Sequence, residues 1–107
     1  MRLQVRRDLR RMVKRIVRRF APEKVILFGS HARGDAGPDS DVDLLVVMAV
    51  DGNKRDAQLQ IRAALRDVRT PKDIIVSTPD EFEWRKDIVG TIEHPATKEG
   101  KVLYARG

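Results

Sequence analysis

The chain contains no cysteine. That absence rules out a disulfide framework, a thiolate zinc site and a catalytic thiol. Aromatic residues are scarce, with one Trp, one Tyr and three Phe among 107 residues. No apolar run approaches the ~20 residues that a membrane-spanning helix needs. The N-terminus is basic but lacks the apolar core of a secretory signal, so a cytoplasmic protein without a membrane role is expected. The length fits one domain. A chain of this size buries only about two-thirds of the surface that its unfolded form exposes, so a partner surface would help to stabilise it.

The chain has a net charge of +6, unevenly spread. Residues 2–19 hold Arg2, Arg6, Arg7, Arg10, Arg11, Lys14, Arg15, Arg18 and Arg19 against the single acid Asp8; the rest of the chain is slightly acidic. Val5, Leu9, Met12, Val13, Ile16, Val17 and Phe20 recur at helical spacing, so 2–19 reads as an amphipathic helix stopped by Pro22. Two readings of its basic face stay open. One is a solvated face on a packed helix. The other is an electrostatic surface for RNA, DNA or an acidic partner. With no aromatic residue interleaved, stacking on single-stranded bases is disfavoured.

The remaining pattern alternates strands and helices. Lys24–Phe28 and Val42–Met48 read as strands, the second apolar on both faces and therefore central. Between them lies a polar loop with Gly34, Gly37 and Pro38 as breakers. Ala57, Ile61, Ala64, Leu65 and Val68 give a helix over 54–69, and Lys72–Ser77 a third strand. Thr78-Pro79-Asp80-Glu81 reads as a helix start. Ile88, Val89 and Ile92 suggest further helix until Pro95, and Lys101–Tyr104 a last strand. The order predicts an α+β (α/β layered) domain, a small mixed β-sheet with helices packed on one face.

Residues 24–48, KVILFGSHARGDAGPDSDVDLLVVM, carry the chemistry. Asp41 and Asp43 stand two apart at a strand entrance and project to the same face. Carboxylates held that close need a cation or a raised pKa. Hard oxygen ligands suit Mg²⁺, which binds through one or two carboxylates plus substrate phosphates. Gly29 lets the backbone approach a ligand, and a short helix at Ser30–Arg33 would offer N–H groups to an anion. A phosphate seat therefore faces a metal seat. The bland reading of Asp41 and Asp43 is a capped turn, and of Gly29-Ser30 a structural tight turn.

Gly29-Ser30, ten residues, then Asp41-x-Asp43 resembles the signature of the DNA polymerase β-like nucleotidyltransferase superfamily. The fuller form, Gly29-Ser30-His31-Ala32-Arg33-Gly34-Asp35 with Ser40-Asp41-Val42-Asp43-Leu44, resembles the minimal nucleotidyltransferases (MNT), among them MntA-type antitoxins paired with a HEPN-domain toxin. The similarity runs nearly to the end of the chain, down to Glu99-Gly100-Lys101-Val102-Leu103-Tyr104. Pro95 is a departure, because similar family members continue helically there.

The resemblance implies a nucleotidyltransferase fold over 1–107, with a catalytic core at 24–77 and a C-terminal helix and strand at 78–107. It implies an enzyme that uses one or two Mg²⁺ ions and ATP. Asp41, Asp43 and Asp73 would be catalytic and metal-binding, Asp73 as a third ligand or as a base for the acceptor hydroxyl. Gly29 and Ser30 would hold the nucleotide phosphates. Arg33 would reach a phosphate or an acidic partner, unless it is solvated or pairs with Asp35. Ser40 would cap or orient the Asp pair.

His31 reads as a loop residue and His94 as a surface one. Trp84 reads as a core or interface anchor, and Tyr104 as core. Transfer of AMP to a tyrosine of a HEPN toxin, within a hetero-oligomer, is the implied activity. Two other functions stay open: an antitoxin that silences its partner by occlusion, and a nucleic-acid-binding module using the basic helix.

Overall fold

The computed structural model describes residues 1–107. Helix α1 spans Leu3–Phe20, followed by β1 (Lys24–Phe28), the one-turn α2 (Ser30–Arg33) and β2 (Val42–Val47). Then come α3 (Lys54–Ala64), β3 (Lys72–Ser77), α4 (Pro79–Arg85), α5 (Glu93–Glu99) and β4 (Lys101–Ala105). The four strands form one mixed sheet in the order β3-β2-β1-β4. β1 runs antiparallel to β2 and to β4, and β2 runs parallel to β3. A parallel pair needs a crossover, and α3 provides it.

Strand alternation divides the core. Val25 and Leu27 of β1, Val42, Leu44 and Val46 of β2, and Ile74 and Val76 of β3 face the helices α1 and α3. There they meet Leu9, Met12 and Ile16 from α1 and Ala57 and Ile61 from α3. Ile26, Leu45 and Val47 face the other way, against Phe82 of α4 and Ala96 of α5. The expectation of helices on one face thus holds for the two long helices. The short C-terminal pair lies on the opposite face, because β2 is apolar on both sides and each side must be covered.

The helix ends follow local chemistry. Ala21, after α1, adopts a left-handed conformation and its N–H reaches the Val17 carbonyl. Asn53 caps α3 by accepting from the Asp56 N–H at 2.8 Å. Thr78 caps α4 through the Glu81 N–H, with Pro79 at the first helical position. The third helix stops at Ala64, short of Arg69. Its apolar pattern persists because the turn that follows still buries Leu65 and Val68, and the approach to Pro71 disfavours helix.

The tail departs further from the periodicity. Helix α4 stops at Arg85, and Gly90 turns the chain with φ +99°. Pro95 lies inside the first turn of α5 instead of ending a helix. The first turn tolerates proline because its missing N–H has no intrahelical acceptor there. Trp84 is exposed and forms no part of the core, while Tyr104 is half-buried against the α1 side.

Three polar contacts lock the layers together. Asp8, the only acid of α1, is buried and accepts from the Thr70 hydroxyl at 2.5 Å and from Gln4 at 2.9 Å. This ties α1 to the entrance of β3. Ser77, at the far end of β3, donates to the buried Glu93 at 2.8 Å. Gln58 of α3 accepts from the Val76 N–H at 2.9 Å, satisfying one donor along the β3 edge.

Candidate active site

The site assembles where β1, β2 and β3 begin or end together. β1 leaves the sheet at Gly29, whose backbone (φ 73°, ψ −156°) lies in a region that side-chain-bearing residues rarely adopt. A Cβ there would also collide with Asp43 Oδ2 and lie 3.1 Å from Asp43 Cγ. Glycine is therefore required twice, for conformation and for space. The next four residues close the single turn of α2, with the Ala32 and Arg33 N–H groups both 3.1 Å from the Gly29 carbonyl. By helix geometry, the N–H groups of Ser30 and His31 precede the first intrahelical acceptor.

Asp43 is the central carboxylate. Val42 before it is fully buried toward α1 and α3, so Asp43 turns to the opposite face and is half-buried. Asp43 pairs across the sheet with Phe28 on one side and with Asp73 on the other. Directly paired neighbours on parallel strands lie about 4.8 Å apart, so the two carboxylates are adjacent. Asp41, two residues earlier, is exposed. Burial, then the charges of Asp73 and Asp41, push the Asp43 carboxyl above its ordinary value; His31 and Arg33 offset this in part.

The other sequence-nominated residues are engaged within the chain. Asp73 binds Arg62 of α3 at 2.6 Å. Arg33 pairs with Asp35 at 3.2 Å and with Glu99 at 3.5 Å, joining α2 to α5. The Ser40 hydroxyl accepts from the Gly37 N–H at 2.9 Å, closing a tight turn just before Asp41, and makes no hydrogen bond to either carboxylate of the Asp pair. The Ser40 carbonyl lies 3.1 Å from His31 Nε2. His31 therefore sits on α2, not in the loop, and pins the loop to it.

No group of three or more His, Asp or Glu side chains is placed to hold one ion. Asp73 is drawn to Arg62 and Asp41 faces solvent. The donor set nonetheless suits a hard divalent cation, since it consists of carboxylate and hydroxyl oxygens. Burial first, and the charges of Asp73 and Asp41 after it, hold the Asp43 carboxyl above its ordinary value, and a cation bound there would offset both. Arg62 went unnoticed in the sequence, because an arginine eleven positions before Asp73 follows no local rule. The site is open to solvent beside the half-buried Asp43, Gly29 and Ser30.

The nucleotidyltransferase domain family model matches residues 9–97. A segment of 29 residues is 59% identical to a Methanocaldococcus jannaschii protein named "putative protein adenylyltransferase"; it spans 27% of this chain and 29% of that protein's length. The crystal structure of a "putative nucleotidyltransferase" from Sulfolobus solfataricus superposes with a TM-score of 0.65 at 28% identity, over 96% of this chain and 84% of that one.

Two toxin–antitoxin crystal structures share the fold at lower identity. One, solved with AMP-PNP, gives a TM-score of 0.53 at 19% identity over 90% of this chain and 73% of its own. The other, of MntA-HpeT, gives 0.55 at 17% over 91% and 73%. The family match runs from the buried face of α1 into α5 and takes in Gly29 and the strands that carry Asp43 and Asp73: the chain belongs to the nucleotidyltransferase domain family.

Proposed function

We propose that this nucleotidyltransferase moves AMP from ATP to a hydroxyl of a protein acceptor, a tyrosine of a HEPN-type toxin partner, and so acts as an antitoxin. The carrying observation is Asp43, pressed against the Gly29 backbone on one side and paired with Asp73 on the other. In this reading Gly29 and Ser30 hold the terminal phosphates through backbone N–H groups and the Ser30 hydroxyl. Asp41 and Asp43 would hold Mg²⁺, with Asp73 beside them once Arg62 releases it. Bound there, the ion would polarise the phosphates as a Lewis acid and neutralise charge on the leaving pyrophosphate.

The acceptor oxygen forms a bond to the α-phosphorus, and the bond from that phosphorus to the bridging oxygen of pyrophosphate breaks. Asp73 takes the acceptor proton once its pair with Arg62 opens. Arg33 and Ser40 serve the nucleotide side by fixing α2 and the loop that leads to Asp41.

A protein acceptor is supported by exposed apolar surface. Trp84, Ile88, Val89 and Ile92 are exposed around the α4–α5 connection, on the sheet face toward which Asp43 points. Clustered apolar exposure of this kind marks protein contacts. The named activity of the M. jannaschii relative and the toxin–antitoxin assemblies among the fold neighbours agree with it.

The test is ATP labelled on the α-phosphate, Mg²⁺ and the candidate toxin, with Asp43→Asn as control. A labelled toxin band that disappears with the variant supports transfer. The Arg62–Asp73 pair, which occupies the would-be base, favours a second reading in which the chain neutralises its partner by binding alone. Neutralisation that survives both Asp41→Asn and Asp43→Asn, without label, would establish that reading instead.

A further inference from the structure

The basic face of α1 is not uniform. Arg15 is tied to Asp67 and to the Ala64 carbonyl, and Arg11 pairs with Asp67 and Asp8. These two arginines clamp α1 to the end of α3. Arg6, Arg10, Lys14 and Arg18 form a separate row, four residues apart, and all are exposed. None of the chain's ion pairs includes them.

That row forms one rim of a groove of about 630 Å³ between α1 and β4. The floor is apolar. Val13 and Val17 line it from the helix, and Leu103 and Tyr104 from the strand. Consecutive strand residues ordinarily face opposite ways. Here the register between β1 and β4 slips: Val25 pairs with Tyr104 and Ile26 with Val102, leaving Leu103 as the extra residue. The bulge re-aims the side chains, so that Leu103 and Tyr104 both enter the groove. It also kinks the edge, which disfavours simple strand addition.

We propose that this groove is the docking site for an acidic amphipathic helix of a partner protein. Four unpaired cations at helical spacing call for carboxylates at matching spacing. The run from Arg6 to Arg18 covers about 18 Å at 1.5 Å per residue, some three turns of a docked helix. The apolar floor takes the i, i+3, i+4, i+7 anchors of such a helix. A nucleic-acid backbone would match the cations but leave the floor unused, and no aromatic row is present for base stacking. A second copy of the chain would bring the same cations against themselves. The groove lies across the sheet from Asp43, so docking there is separate from the transferase reading and leaves the site open.

The experiment uses the full chain and a fluorescein-labelled 14-residue peptide with Glu every fourth position and a Leu ridge beside it. A scrambled peptide of the same composition and a 12-nucleotide single-stranded RNA are the competitors. The patterned peptide is expected to bind at least tenfold more tightly than either. Arg10→Glu with Lys14→Glu is expected to weaken it at least tenfold, and Asp43→Asn to leave it unchanged. Chemical-shift mapping on the unaltered chain guards against a variant that misfolds, and should place the perturbed amides on Val13, Val17, Leu103 and Tyr104. Equal binding of the scrambled peptide, tighter binding of RNA, shifts clustered elsewhere, or no peptide binding would each overturn the proposal. So would a dimer in sedimentation that Tyr104→Glu dissociates.

Discussion

Gly29 and Asp43 occupy one another's space: the Asp43 carboxylate sits where a Gly29 side chain would be. The end of β1 and the start of β2 are thereby fixed against each other, with Phe28 and Asp43 as cross-strand partners. Phosphate-binding backbone and metal-binding carboxylate are, in the proposed reading, one unit. Gly29→Ala must displace Asp43 and also adopt a backbone conformation costing about 1–3 kcal/mol. The expected outcome is a folded protein by far-UV circular dichroism with label transfer reduced roughly 100-fold, the usual scale for an ångström of misplacement. Transfer within threefold of the unaltered chain would show that the contact is dispensable.

Asp43→Asn is expected to stabilise the metal-free fold while abolishing transfer. The Asp43 carboxyl is raised above its ordinary 3.8 by burial and by Asp73 and Asp41. A raised carboxylate means that the folded state holds its proton more tightly, so stability declines as pH climbs from about 3.8 through the folded value. Removing like charges from opposed strand positions is worth about 0.2–1 kcal/mol. The gain should appear in urea melts at pH 7 and vanish near pH 3, where Asp43 holds its proton in the folded chain. Mg²⁺ should then raise the melting temperature of the unaltered chain and not of the variant. A variant less stable at pH 7 would mean that the repulsion is already balanced.

Arg62 should act as a brake on cation binding. It holds Asp73 at 2.6 Å, and both side chains are nearly half-exposed. An exposed pair adds little to stability, within about 1 kcal/mol, so Arg62→Ala should melt close to the unaltered chain. Removing a unit charge near the site changes the local electrostatic energy by about 1 kcal/mol in a water-like medium. Mg²⁺ affinity measured by calorimetry should therefore rise about fivefold. Unchanged affinity would place Asp73 outside the cation's reach.

Much of this was legible in the sequence where the signal is local. Lys24–Phe28 and Lys72–Ser77 emerge at their expected bounds because β-branched runs are flanked by Pro22, Gly29, Pro71 and Pro79. Gly29-Ser30 and Asp41-x-Asp43 were readable because their spacing fits a strand end and a strand entrance. The parallel register that sets Asp73 beside Asp43 is tertiary, and the sequence offered only an Asp at a strand start. The Arg33–Asp35 pair is one of the alternatives that the sequence leaves open, two residues apart, whereas the Glu99 partner of Arg33 and the Gly37 amide that engages Ser40 depend on the tertiary fold and the loop conformation. Pro95 starts a helix where the sequence suggests a stop, because a proline in a first turn looks the same in sequence as one past a last turn. The bulge at Leu103, which builds the basic groove, has no sequence mark at all.

The Asp8–Thr70 contact gives the fold its own pH dependence, apart from the site. Asp8 is buried in a helix otherwise crowded with arginine, and the Thr70 hydroxyl holds its carboxyl below 3.8, with Gln4 and Arg11 adding to this against the cost of burial. A depressed carboxylate contributes stability that is fully present above about 3.8 and lost as pH falls through the lower folded value. Thr70→Val keeps the shape but removes the donor, leaving a buried charge short of a partner, which costs about 1–3 kcal/mol. The loss should be full at pH 7 and shrink below pH 3 as Asp8 takes up its proton in both proteins. Because Asp8 lies on α1, on the sheet face opposite to Asp43 and Asp73, the variant should keep its affinity for Mg²⁺ while the urea midpoint drops. A loss that persists undiminished at pH 2 would assign the effect to packing at Thr70 and not to the charge on Asp8.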